Sequence, residues 1–129
     1  MNQLLNELVE IEKKCAEAFN KKDLSSILDY FSKDISGFSS TDHDRFQGRD
    51  ELRQTFEYYL AEADSVTYEV MDPLITTVGE TAILSFYWRV TLKTGNKRVE
   101  IPGRGTHVYH RQGEKWLIVH EHFSRSTKI

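Results

Sequence analysis

Apolar residues in the first half of the chain recur at helical spacing. From Leu4 to Phe19 they return every three or four positions, which predicts an amphipathic helix over residues 2 to 21. Asp23 is a suitable N-cap for a second, shorter helix. Helical spacing returns over residues 48 to 63. The pattern therefore predicts a helical first half of the chain.

The second half changes to the alternating pattern of β-strands. Four strands are predicted, at about residues 65 to 78, 80 to 92, 98 to 111 and 115 to 125. Residues 35 to 40 form a further short candidate strand at an edge. Helices followed by antiparallel strands indicate an α+β domain, in which three helices cover one face of a curved sheet. The length of 129 residues suits a single domain, 1–129.

The predicted strand over residues 80 to 92 separates its side chains sharply between its two faces. Its even positions are all apolar, whereas its odd positions mix apolar, aromatic and cationic groups, as the wall of a binding pocket would. An apolar second sheet face would be too large to leave exposed to water. We therefore expect a homodimer or a higher homo-oligomer through the outer sheet face, with Phe86 and Trp88 as anchors.

Composition excludes several classes of function. The net charge is −3, and the basic residues are scattered, which disfavours nucleic-acid binding. The amino terminus lacks the apolar run of a signal peptide or membrane span, so we expect a cytoplasmic protein without a membrane partner. Cys15 is the only cysteine, which excludes an internal disulfide. Because phosphate-binding loops, nucleophile elbows and zinc motifs are missing from the sequence, no cofactor is expected.

Candidate chemistry is concentrated in the last two predicted strands. A hairpin centred on Gly113 places His107 diagonal to Glu121 on a shared face, within reach of its carboxylate. Such a pair is either a general acid and base or a structural hydrogen bond between strands. The opposite face gathers further imidazoles, from His110, His120 and His122. A metal site there requires those rings to converge on one ion, and the pattern has low specificity for one.

The order of elements, together with the segments KKDLSSILDYF, FQGRDEL and GRGTHVYHRQGEKWLIVHEHFS, resembles a known family. It is similar to the SnoaL-like branch of the nuclear transport factor 2-like superfamily, which includes ketosteroid isomerases. Within that group, WRVT and IVHEHFS are similar to the association (hub) domain of calcium/calmodulin-dependent protein kinase II. The resemblance implies a cystatin-like α+β roll: a bent antiparallel sheet wraps around three helices, a pocket lies at the open end, and dimers form through the outer sheet face.

The same resemblance implies which residues face the pocket. It directs Glu121 inward on the last strand and His120 outward with His122. The hub domains carry pocket arginines at three positions, which correspond here to Arg89, His107 and Phe123, so only one is arginine.

The sequence leads to two hypotheses about function. The first is a small-molecule-binding protein that acts as a cofactor-independent isomerase, cyclase or hydratase, with Glu121 as base and His107 as its partner. Arg89 or Tyr87 would then stabilise an oxyanion. The expected ligand contacts are Arg89, Tyr87, Tyr109 and Phe123. The alternative is a non-catalytic oligomerisation or ligand-sensing module similar to a kinase association domain.

Overall fold

The computed structural model describes residues 2–126, so Met1 and residues 127 to 129 of the predicted domain lie outside the described residues. In chain order the elements are α1 (Asn2–Asn20), α2 (Leu24–Leu28), β1 (Phe31–Phe38), β2 (Phe46–Gln47), α3 (Gly48–Leu60), β3 (Ser65–Val78), β4 (Thr81–Thr94), β5 (Lys97–Gln112) and β6 (Lys115–Arg125). The predicted α+β class is confirmed. Within this part of the chain, no helix combines the length and apolarity needed to cross a membrane.

The strands form a six-stranded sheet in the order β2-β1-β6-β5-β4-β3 over the described residues. Neighbouring strands pair antiparallel except β1 and β6, which run parallel, so the sheet is mixed rather than wholly antiparallel. Helix α1 packs against β3, and α3 packs against β1. The helices thus cover one face of the sheet, and that inner face carries the core.

The predicted dimer anchors lie inside this core. Phe86 and Trp88 are 3% and 1% exposed, so the expectation that they project from the outer sheet face is wrong. The other large side chains that are almost fully buried include Leu8, Phe31, Ile35, Leu52, Leu84, Tyr109 and Ile118. The even-numbered face of β4 is therefore the inner one, and its apolar character reflects packing beneath the helices.

The length of one loop sets which positions of β5 share that inner face. A hairpin with two loop residues pairs Thr94 with Lys97, so even positions of β4 lie opposite odd positions of β5. Paired residues share a face of the sheet, so Trp88 lies inside together with Gly103. A Cβ atom at Gly103 would lie 2.1 Å from the Trp88 ring. Gly103 therefore provides the space that the indole occupies.

A β-bulge in β6 changes whether the even or the odd positions of that strand face inward. The register shifts between Val108 and Tyr109, which makes Val119 the extra residue of β6. As a result, Ile118 before the bulge and Glu121 after it are both buried on the inner face. A regular strand would place residues three positions apart on opposite faces. The bulge therefore decides that the carboxylate of β6 faces the interior.

Candidate functional site

A cavity of about 60 Å³ lies between the helices and the inner face of the sheet. Aromatic residues are the largest class in its wall: Phe19, Phe31, Phe56, Tyr59, Tyr68, Trp88 and Phe123. Its ionisable groups are Glu12, Cys15, His107 and Glu121, besides its tyrosines. Ser39 and Thr55 line both this cavity and a neighbouring surface groove. The cavity thus combines an apolar wall with a small set of polar groups, as ligand sites usually do.

His107 is held between two buried carboxylates. Its Nδ1 lies 2.5 Å from Glu12 Oε2, and its Nε2 lies 2.7 Å from Glu121 Oε1. The Tyr109 hydroxyl donates to the same Glu12 oxygen at 2.6 Å. Ionised carboxylates only accept hydrogen bonds, so a ring that contacts one through each nitrogen donates from both. His107 is therefore an imidazolium between two anions.

The electrostatics of the site agree with this geometry. Burial of His107 opposes its charge, but the charge and hydrogen bond of Glu12, followed by those of Glu121, outweigh burial and raise the pKa of His107 from 6.5 to about 10. The ring of His107 is only 3% exposed, so water screens these interactions little. His107 stays positively charged throughout the neutral pH range.

Helix α1 supplies the carboxylate that the sequence analysis missed. The buried positions of α1 are Leu8, Glu12, Cys15 and Phe19, at spacings of four, three and four. Glu12 is thus a carboxylate inside an otherwise apolar helical stripe. A charged residue almost never occupies such a position unless it is paired, and this is the sequence signal that would have identified it.

The neighbouring strands bring the rest of the cluster together. His107 pairs directly with Glu121 across β5 and β6, rather than diagonally as predicted, because the turn lies between Gln112 and Lys115 instead of centring on Gly113 and because β6 contains the bulge. Aromatic rings surround the imidazolium: the centroids of Phe86, Phe123 and Phe31 lie 5.2, 5.5 and 5.8 Å from that of His107. These rings exclude water, which strengthens the interaction between His107 and its carboxylates.

Three buried polar atoms of residues that line the cavity have no hydrogen-bond partner among residues 2–126. They are Glu12 Oε1, Tyr68 Oη and Trp88 Nε1. Burial, followed by the charges of Glu12 and Glu121, raises the pKa of Tyr68 well above its usual value, so its hydroxyl remains protonated. The residues around the cavity therefore carry one unpartnered carboxylate acceptor and two unpartnered neutral donors, and a group that reached and matched them would remove a desolvation cost of about 1–3 kcal/mol per atom.

Two predicted ligand contacts lie on the other side of the sheet. Arg89 forms a salt bridge of 3.2 Å with Glu69, and the two side chains are 40% and 45% exposed. Tyr87 is 54% exposed. Both residues occupy odd positions of β4, which face away from the buried even positions. Their predicted placement in the pocket, where either would stabilise an oxyanion, is wrong.

The other two predicted contacts are on the inner face. Phe123 lines the cavity and stacks on Trp88, with 5.6 Å between their centroids. Tyr109 is fully buried and reaches the site through its hydrogen bond to Glu12. The structure therefore brings His107, Glu121 and Phe123 to the cavity itself, with Tyr109 supporting the cluster.

The remaining histidines of the last two strands are dispersed. His110 Nδ1 lies 3.2 Å from Thr81 Oγ1, and His120 Nδ1 lies 3.3 Å from Ser36 Oγ. His122 packs beside the Phe38 ring, with 5.3 Å between the centroids. Throughout residues 2–126, no group of three or more His, Cys, Asp or Glu side chains is arranged to hold a metal ion.

Comparisons with known proteins identify the family and the fold. The family profile described as SnoaL-like domain matches residues 9–127. A putative calcium/calmodulin dependent protein kinase II association domain from Xanthomonas campestris is similar in structure, with 18% identity, 95% of this chain and 88% of that chain covered, and a TM-score of 0.83. A search of curated proteins gave no match.

Two further solved structures have the same fold. A putative dehydratase from the NTF2-like family of Streptomyces avermitilis is 13% identical, covers 98% of this chain and 99% of its own, and has a TM-score of 0.87. A protein from Catenulispora acidiphila in complex with S-DNPA is 12% identical, covers 97% and 95%, and also has a TM-score of 0.87. The chain has the fold of structures described as NTF2-like, and it belongs to the SnoaL-like domain family.

Proposed function

We propose that this chain binds a small molecule in the cavity and carries out acid–base chemistry on it without a cofactor, as an isomerase, cyclase or hydratase. The observation that carries the proposal is the buried His107 imidazolium between Glu12 and Glu121 at the cavity wall. Buried ionisable groups with strongly shifted pKa values are concentrated at functional sites. A putative dehydratase and a ligand-bound protein among the similar structures support this reading.

Glu121 is the proposed base. Its side chain retains 6% exposure and lines the cavity, so a substrate proton can reach it. His107 holds the carboxylate in place through one nitrogen, while Glu12 fixes the ring through the other. In an isomerisation or cyclisation, the proton moves from substrate carbon to Glu121 and returns to a second atom of the substrate, so the cycle requires no external acceptor; in a hydration, one water molecule supplies the H and OH that add to the substrate.

Donors for a developing oxyanion come from inside the cavity. Trp88 Nε1 and Tyr68 Oη are buried and lack partners among the described residues. They take over the role that the sequence analysis assigned to Arg89 or Tyr87. Fixed donors in a site that excludes water stabilise negative charge more strongly than the same donors in water.

The test is hydrogen exchange at the α-carbon of acetone in D₂O, followed by NMR. Acetone is small enough for the cavity, and its exchange requires abstraction of a carbon-bound proton. We expect wild-type protein to accelerate exchange and Glu121→Gln to lower the acceleration by about a hundredfold or more. Glu69→Gln, which removes an exposed carboxylate on β3, is the matched control and should leave the rate unchanged. Equal rates for wild type and Glu121→Gln would refute Glu121 as base.

A second candidate, a non-catalytic oligomerisation or ligand-sensing module, is favoured by the likeness to the kinase association domain and by the outer sheet face. That face exposes Leu74 at 66%, Tyr87 at 54% and Ile83 at 36%. We propose a homodimer or higher homo-oligomer through these residues instead of Phe86 and Trp88, because exposed apolar groups on one face favour association.

Light scattering over a concentration series tests this association. Tyr87→Glu should shift wild-type oligomers to monomers, whereas Glu10→Lys on the exposed side of α1 should not. A wild-type monomer at all concentrations would rule the interface out. An oligomer without acetone exchange would favour the module over the enzyme.

A further inference from the structure

The charge of the cavity wall is unbalanced. Among its lining residues, two carboxylates, Glu12 and Glu121, face a single cation, His107, and neither lysine nor arginine is present. Glu12 uses Oε2 for both His107 and Tyr109, which leaves Oε1 buried without a partner among the described residues. A buried carboxylate oxygen in this state lowers its free energy when it meets a donor, above all a charged one.

The aromatic wall suits the same kind of ligand. Trp88, Phe123, Phe56, Phe31 and Phe19 all contribute ring surface to the cavity. Aromatic faces attract cations through their quadrupoles, and more strongly where water is excluded. They give no comparable attraction to an anion. The wall and the free carboxylate oxygen therefore favour the same sign of charge.

The surface groove beside the cavity adds a third observation. It shares Ser39 and Thr55 with the cavity, and its other lining residues include Asp42, Asp44 and Glu51 but only one cation, Arg45. The Arg45 guanidinium lies 5.2 Å from the centre of the Phe38 ring. A groove with excess negative charge raises the local concentration of positively charged molecules and disfavours anions.

We propose that the cavity ligand is a small organic amine in its ammonium form, whose N–H donates to Glu12 Oε1 while the aromatic wall surrounds its charge. The proposal rests on the small-molecule binding proposed above and adds the chemical class of the ligand. A cavity of about 60 Å³ accommodates a compact head group, so the rest of the ligand extends toward the groove. Trp88 Nε1 and Tyr68 Oη are free to bind an acceptor on the same ligand.

Three probes of similar shape and different charge test the ligand class at neutral pH: 2-phenylethylamine, 2-phenylethanol and phenylacetate. Binding is followed by NMR titration of the Trp88 indole N–H. We expect the amine to bind about tenfold more tightly than the alcohol, and the carboxylate more weakly than either. Equal binding of amine and alcohol, tighter binding of phenylacetate, or no binding of the amine at millimolar concentration would each overturn the proposal.

A matched pair of variants tests whether the preference for the amine over the alcohol depends on Glu12. Glu12→Gln keeps the size of the side chain but removes its charge, and it should reduce the ratio of amine to alcohol affinity by about tenfold. Glu10→Gln makes the same change on the exposed side of α1 and should leave that ratio unchanged. An unchanged ratio in folded Glu12→Gln would contradict the contact. If Glu12→Gln does not fold, the wild-type comparison of three probes still decides.

These results separate the two proposals. If the alcohol or carboxylate binds in the cavity as well as the amine does, the ligand class is wrong but small-molecule binding stands. If Glu121→Gln leaves acetone exchange intact while the amine is preferred, the catalytic proposal fails and the ligand class stands. If neither binding nor exchange occurs, both fail.

Discussion

An exposed cation–carboxylate pair on the outer face of the sheet and a buried cation with two carboxylates on the inner face show that burial determines how strongly charges interact. Arg89 and Glu69 meet on the outer face at 3.2 Å, with about two fifths of each side chain exposed. His107 and its two glutamates meet inside at 2.5 and 2.7 Å, with 2% to 4% of each residue exposed. Water and salt screen the first pair, whereas little screens the second. Similar chemistry therefore has very different consequences for stability and pH response.

Removing the inner cation should have the largest effect. His107→Gln leaves Glu12 and Glu121 buried without a positive partner, so we expect a loss of about 3–5 kcal/mol in the free energy of unfolding. Urea denaturation measures this change. A loss below about 1 kcal/mol would show that the carboxylates do not depend on the imidazolium. The buried charges would then contribute no more to stability than the exposed pair.

The pH dependence of stability should also distinguish the buried group around His107 from the outer pair of Arg89 and Glu69. Because folding raises the pKa of His107 from 6.5 to about 10, its protonation stabilises the folded state fully below pH 6.5 and is lost as pH rises through 10. We expect the free energy of unfolding to fall by about 2.5 kcal/mol between pH 7 and pH 9, at about 1.4 kcal/mol per pH unit. His107→Gln should lack most of this slope, and Arg89→Ala should retain it.

The third prediction concerns the space beside the inner cluster. Gly103→Ala places a methyl group against the Trp88 ring, where a Cβ would lie 2.1 Å away, so we expect a loss of about 2 kcal/mol from overpacking. Arg104→Ala on the neighbouring, exposed position serves as control and should change stability by less than about 0.5 kcal/mol. Thermal unfolding of both variants measures the difference. Equal melting temperatures would contradict the placement of the indole.

The smallest effect is expected on the outer pair. Arg89→Ala removes an exposed salt bridge and should cost between 0 and about 1 kcal/mol at low salt, and less at high salt. Denaturation at two salt concentrations measures it. A loss as large as that of His107→Gln would mean that the outer face is covered in solution, in agreement with the proposed association.

The sequence predicted the elements well because their ends carry local signals. Gly79, Gly95 and Gly113 all have positive φ, of 58°, 59° and 68°, and each lies in a turn between the long strands. The predicted boundaries of the four long strands differ from the observed ones by two residues or fewer, whereas the short strand predicted at residues 35 to 40 begins four residues earlier, at Phe31, and β2 was not predicted. Local backbone chemistry sets these boundaries, so no knowledge of distant contacts was needed.

The faces of the strands were harder to predict because they depend on loop length and on the bulge. Across the two-residue loop, even positions of β4 share a face with odd positions of β5. Arg89 and Tyr87 occupy odd positions of β4 and therefore lie on the outer face. Gly103 and Gly105 alternate on β5 opposite Trp88 and Phe86, and they marked the inner face in the sequence. Large aromatic residues facing glycines across a ladder indicate a crowded interior rather than a free surface.

The site was only partly predictable for a different reason. His107 and Glu121 lie on adjacent strands, and the hairpin between them made their meeting foreseeable. Glu12 meets His107 across 95 positions of sequence, a contact that depends on how α1 packs over the sheet. Its place in an apolar helical stripe shows only that it requires a partner and does not identify that partner.

The extra residue at Val119 means that two alternative pairings of β6 would produce two different interiors. If β6 paired regularly through Val119, without the bulge, every side chain beyond it would exchange sides, so that His120 or His122 would enter the hollow and Glu121 would meet solvent. A shift in pairing would thus replace an acid by an imidazole without any substitution within the lining. In this fold, pocket chemistry is set by strand pairing as well as by residue identity.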